Sequence, residues 1–204
     1  MAAVSKTDII NIALGHLKQR PITAIDPPIQ EAAKIAVKYY DNAILAMLRI
    51  IRPPWAKKQA QISADADAPL AKFAYKYAFP DDYVALTDIG DQSLDDYQED
   101  YDILADGLLI DEPGPIVLTY VFQQFDIGKF DSIAVMCATY TLAELMAYEV
   151  TGNGNLRDAM AKKAAEYEIK TRSIGGQERP PRRRQVSRYG AARRRSSSRI
   201  ISSS

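Results

Sequence analysis

The sequence predicts a mainly α fold: a four-helix bundle with a small antiparallel β meander inserted between the second and third main helices, and an extended basic C-terminal arm. Three observations predict it. Apolar residues recur at helical spacing in four stretches that end at capping residues or breakers. Between about residues 72 and 122 the period drops to two. Beyond residue 174 periodicity stops and arginine and serine dominate, which divides the chain into a body at 1–174 and an arm at 175–204.

The first helix is expected from about Thr7 to Gln19. Ser5 and Asp8 have capping-box spacing, and Ile9, Ile10, Ala13, Leu14 and Leu17 share one face. Arg20-Pro21 ends it, because the residue before a proline is pushed out of the α region. Asp26-Pro27-Pro28 starts the second, with aspartate as cap and proline in the first turn. Its stripe runs through Ile29, Ala33, Tyr40, Ile44 and Ile51 and stops at Arg52-Pro53-Pro54. The third opens at Asp131 as cap and runs to about Val150, apolar nearly all round, as a central buried helix should be. Thr151-Gly152-Asn153-Gly154 breaks it, and a fourth extends from Asn155 to about Thr171.

Between the second and third helices, Phe73, Tyr75, Tyr77 and Phe79 alternate with smaller or charged residues, a strand with an aromatic face. Pro80-Asp81-Asp82 turns the chain into a strand at Tyr83–Ile89. After an acidic loop from Asp91 to Asp100, Tyr101–Leu104 and Leu108–Asp111 flank the hairpin signal Ala105-Asp106-Gly107. Pro113-Gly114-Pro115 precedes a last β-rich run, Ile116–Phe122.

A hydrophobic content of 47% and a charged content of 25% suffice for a buried core. No stretch reaches the roughly 18 uninterrupted apolar residues of a membrane span, and Met1–Lys6 lacks a signal-peptide layout. Cys137 is the single cysteine, so no internal disulfide forms, and a cytoplasmic origin is the default. The formal net charge of zero conceals a division. From Thr171 to Ser204 there are ten arginines and one acid, Glu178, giving +9; the 16 Lys+Arg and 25 Asp+Glu before it give −9.

Catalytic inventory is thin. His16 is the single histidine, which excludes paired-histidine metal motifs and reads as a solvated or partner-facing side chain. In the acidic loop, counting from Asp91, Asp96 stands where a calcium loop needs its sixth-position glycine, so the loop reads as solvated. Gly152-Asn153-Gly154 lacks the lysine of a phosphate-binding loop, and Cys137 lies in the buried helix as a core thiol. The alternating aromatics at Phe73–Phe79 read as sheet core rather than a base-stacking platform. No enzymatic activity, metal or cofactor is expected.

The arm is different in kind. Arg182, Arg183, Arg184, Arg188, Tyr189, Arg193, Arg194, Arg195, Arg199, Ile200 and Ile201 are its candidate partner-binding residues. Such a run can neutralise nucleic-acid phosphates, dock on an acidic protein surface, or stay solvated without a partner.

The order of features resembles a known family. Ile12-Ala13-Leu14-Gly15 leads to Ile22-Thr23-Ala24-Ile25-Asp26, then to a helix with Ala32 and Tyr40-Asp41 that ends before Pro54-Trp55. Tyr75-Lys76-Tyr77-Ala78-Phe79-Pro80-Asp81-Asp82, Gly107, Leu118-Thr119-Tyr120, Asp126, Phe130-Asp131 and Gly176-Gln177-Glu178 follow. Over about residues 7–180 this pattern resembles the head-to-tail adaptors of tailed phages, also called tail tubular protein A in short-tailed phages. It departs from the family in having Phe79-Pro80 where Leu-Pro is usual, and in an unusually arginine-rich stretch after Pro181.

The resemblance implies a structural virion protein of the neck, made in the host cytoplasm. It would assemble with itself as a twelve-fold ring below the portal protein, carry the tail nozzle or other tail proteins, and extend the conduit for genomic double-stranded DNA without binding it specifically. No membrane or catalytic site is implied, and the C-terminal arm would grip the portal. The other reading is a nucleic-acid-binding protein that uses the arginine-rich arm.

Overall fold

The computed structural model describes residues 4–177 except 67, 68, 70, 71, 95, 96, 98 and 99, and the side chains of the α-helical stretch 172–177 are not described. The described chain is α+β rather than mainly α. Four long helices, α1 (Lys6–His16), α2 (Glu31–Ile51), α3 (Ser132–Thr151) and α4 (Gly154–Gln177), are joined by seven strands that follow α2 and precede α3 in the chain. The strands are β1 (Lys57–Ile62), β2 (Tyr75–Ala78), β3 (Tyr83–Ile89), β4 (Gln92–Ser93), β5 (Tyr101–Ile103), β6 (Gly107–Ile110) and β7 (Ile116–Phe122).

These strands do not form a meander. They build two antiparallel sheets, one in the order β1-β7-β3-β4 and one in the order β2-β6-β5. Only β3–β4 and β5–β6 pair sequential neighbours. β1 pairs with β7, Lys57 opposite Val121 and Ile62 opposite Ile116, and β2 skips β3 to pair with β6. Burial explains the arrangement. Val84, Ala85 and Val121 join the helical core, whereas Leu86, Ile89, Ile116 and Leu118 join a second core with Tyr77, Leu108 and Ile110. The four-stranded sheet thus serves two cores and has hydrophobic residues on both faces, which a one-sided meander would not require.

The helix ends follow local chemistry. Ser5 Oγ accepts from the Asp8 amide at 3.2 Å, and the Ser5 amide donates to Asp8 Oδ2 at 2.8 Å, completing the capping box. α1 stops at His16, short of Gln19, in a Schellman motif. Lys18, at φ 58°, donates to the Gly15 carbonyl at 3.0 Å, and Gln19 reaches back to that of Leu14 at 2.9 Å. Asn11 then holds the following loop, its amide group pairing with both the N–H and the C=O of buried Ile22 at 2.8 and 3.1 Å. α2 begins at Glu31 rather than at Asp26-Pro27-Pro28, because Pro28 bars its predecessor from the α region and the Gln30 carbonyl takes the first helical bonds.

α3 is the central helix, packed against α1, α2 and α4. Asp131 Oδ1 accepts from the Ile133 and Ala134 amides at 3.0 and 2.7 Å, and Gly152 ends the helix at φ 66°. Its length and composition would suffice to cross a membrane, but more than half of that stretch is buried inside the protein. Its two buried threonines donate inward, Thr139 to the Val135 carbonyl at 2.7 Å and Thr141 to that of Cys137 at 2.9 Å. α4 passes the expected end at Thr171 and continues to Gln177, beyond the 174/175 division of the sequence.

Candidate interaction surface

The candidate residues of the arm, Arg182 to Ile201, lie outside the described residues. Asp95, Asp96 and Glu99 of the acidic loop do so as well.

Polar constellations within the body are braced rather than poised. Lys58 Nζ lies 2.8 Å from Asp82 Oδ2, while the buried Tyr120 hydroxyl donates to Asp82 Oδ1 at 2.8 Å. The Lys58 hydrogen bond holds the Asp82 carboxyl below its ordinary range, and burial pushes the Tyr120 phenol up. Each shift moves the pKa further from neutral pH, the opposite of what a general acid or base needs. Glu149 accepts from Lys38 at 3.0 Å and from the Tyr39 hydroxyl at 2.7 Å, and those two bonds lower its carboxyl likewise. Burial, with a smaller contribution from Glu168, pushes the Cys137 thiol up to about 12, so thiolate is scarce at neutral pH. Among the described residues no group of three or more His, Cys, Asp or Glu could hold a metal ion.

His16 is not the solvated or partner-facing side chain its sequence position suggests. Its ring stacks on Tyr140 of α3 at 4.4 Å between centroids, and Tyr140 stacks in turn on Tyr167 of α4 at 5.1 Å. Its Nε2 is buried without a hydrogen-bond partner, and desolvation lowers its pKa. The aromatic strand also differs in detail. Tyr77 is fully buried and donates to the Glu112 carbonyl at 2.8 Å, but Phe79 lies beyond β2 and stacks on Tyr83 at 3.9 Å.

The body's acidity is concentrated in the insertion. Residues 57–122 hold 14 Asp+Glu against four lysines, a charge of −10. The rest of the chain before Thr171, with 12 basic and 11 acidic residues, carries +1. Each of the four lysines is already in an ion pair with an acid of the insertion: Lys57 with Asp88, Lys58 with Asp82, Lys72 with Asp100 and Lys76 with Asp106. The signal is legible in the sequence, which has no Lys or Arg between Lys76 and Lys129.

Helix geometry decides where α4 ends. α3 and α4 are antiparallel, and the Tyr140–Tyr167 stack fixes their register. From that stack the run back to Ser132 and the run on to Gln177 are similar in length, at 1.5 Å per residue. The end of α4 is therefore level with the start of α3, where Phe130 stacks on Trp55 at the root of the β insertion. Apolar side chains are also exposed elsewhere: Leu145 and Tyr148 one turn apart on α3, and Ile103 and Leu104 at the end of β5. No family model matches the chain, and no curated protein does.

Proposed function

We propose that this chain is a structural component of a phage neck, a head-to-tail adaptor that forms a ring beneath the portal and carries tail components below. The observation that carries this reading is the division of charge along the chain: a body of −9 before Thr171, its acid concentrated in the β insertion between α2 and α3, followed by an arginine-rich sequence after α4. The adaptor-like sequence pattern over about residues 7–180 supports the same reading. The braced polar groups of the body suit a rigid building block. In this reading the candidate residues Arg182 to Ile201 contact the portal, and duplex DNA passes an acidic body that does not retain it.

The test is electron microscopy of the purified chain mixed with portal rings from the same virus. A ring of this chain stacked on one face of the portal is expected. Absence of any complex, with tight binding to duplex DNA instead, would favour the nucleic-acid-binding reading. That reading has its own signature, a steep linear fall of log affinity with log salt as arginines release phosphate counterions.

A further inference from the structure

We propose that residues 178–204 dock in cis on the outer edge of β5 in the same chain, an intramolecular clasp between the basic segment and the acidic insertion. β5 ends the three-stranded sheet, and no strand lies beyond it among the described residues. In an antiparallel hairpin the backbone N–H and C=O of alternate residues face away from the partner strand. Leu104 donates to Gly107 within the hairpin at 2.8 Å, which leaves the backbone amide and carbonyl of Ile103 on the outer side of β5, where the amide is met by the side chain of Asp102 at 2.9 Å. Ile103 and Leu104 are 42% and 41% exposed there, beside Asp102. Among the described residues, no strand covers this apolar and acidic edge.

Three observations name the occupant. The insertion carries −10, and residues 178–204, with nine arginines and Glu178, carry +8, so each is the other's main counter-charge within the chain. Arg199-Ile200-Ile201 offers the cation and the apolar side chains that the Asp102-Ile103-Leu104 edge complements. The segment also departs from α4 level with the insertion's root, and its 27 residues can span up to about 90 Å when extended. A tethered ligand of this kind experiences an effective concentration on the order of millimolar, well above that of a second copy in dilute solution. The clasp shields the arginines from stray phosphates until a competing acidic partner displaces them. It stands apart from the neck reading, since it concerns the isolated chain.

The test attaches a spin label through Ser196→Cys in the full-length chain, where buried Cys137 is protected from labelling, and reads paramagnetic broadening of backbone amides by NMR. At low salt, loss of the amide signals of 101–106 with retention of those of α1 and α2 is expected. The signals should return at about 1 M salt, where the screening length falls to about 3 Å. They should also return when Asp91, Asp102 and Asp111 are all changed to Asn, the unchanged spectrum of the helices reporting an intact fold. Unbroadened 101–106 signals at low salt overturn the proposal, as does broadening spread evenly over the helices. Mixing isotope-labelled chain without spin label and unlabelled chain with it separates cis from trans. Broadening in that mixture places the segment on a second copy and overturns the cis clasp.

Discussion

Trp55 and Asp131 stand at opposite ends of the β insertion and are joined by one hydrogen bond, from the indole N–H to Oδ2 at 3.2 Å. The other carboxylate oxygen caps α3, and Trp55 stacks on Phe130 at 4.8 Å between centroids. One carboxylate thus starts the central helix and closes the base of a 75-residue excursion. Trp55→Phe keeps an aromatic ring on Phe130 and should cost about 1 kcal/mol for the lost bond. Asp131→Ala loses the cap too and should cost about 2 kcal/mol. Because both remove the same bond, the double variant should cost less than the sum, measured from urea midpoints. Strict additivity would mean that the indole bond contributes nothing.

His16 supplies a pH prediction. Burial depresses its folded pKa below 6.5, so between that lower value and 6.5 the unfolded chain binds the proton that the folded chain refuses. The contribution to stability is therefore full above 6.5 and is lost as pH falls from there through the folded pKa. His16→Phe keeps a ring on Tyr140 and removes the unpartnered buried Nε2. The variant should be at least as stable as the parent at pH 7 and should lose less melting temperature between pH 7 and pH 5. Parallel melting curves over that range would assign the pH dependence to other groups.

Gly107 and Gly15 form a matched pair. A Cβ on Gly107 would lie 2.6 Å from the Tyr77 carbonyl oxygen, a backbone atom in the paired strand, whereas one on Gly15 would meet nothing within 4 Å. Gly107→Ala must push β6 from β2 and should cost about 1–3 kcal/mol, as overpacking does. Gly15→Ala lies in a helix and should gain about 0.5 kcal/mol. Thermal melts of the two single variants should move in opposite directions.

What the sequence reveals follows how local the determining forces are. Asp131, Gly152, Arg52 and the Ser5–Asp8 pair mark helix ends through neighbours within four residues, and each lies at or beside an observed boundary. β3 and β7 have the bounds read from their composition, because Pro80-Asp81-Asp82 and Pro113-Gly114-Pro115 punctuate them. β1 shows no such signal. Lys-Lys-Gln-Ala-Gln-Ile has no apolar alternation, since it is a half-exposed edge strand defined by pairing with β7 across more than fifty residues. The two-sheet arrangement was hidden for the same reason: β2 must find β6, and no local pattern names a partner. His16 looked solvent-facing on its own helix because Tyr140, which covers it, comes from α3. The concentration of acid in the insertion was visible in the residues but is obscured when the whole body is treated as one charge.

Truncation after Gln177 separates the body from the basic segment. Among the described side chains, those through which α4 joins the helical core, Leu156, Met160 and Tyr167, all precede residue 171. Removing 178–204 should therefore leave the melting temperature nearly unchanged, because it deletes none of that packing. It removes nine arginines and Glu178, so the formal charge moves from 0 to −8. If the arginines are the portal contact, affinity for portal rings should be lost while the body remains folded. Sedimentation with the portal measures the first and circular dichroism the second. Full portal affinity in the shortened chain would move the contact onto the body, with the exposed Leu145 and Tyr148 of α3 as the next residues to change. Loss of fold would instead show that the segment packs on the body strongly enough to support it.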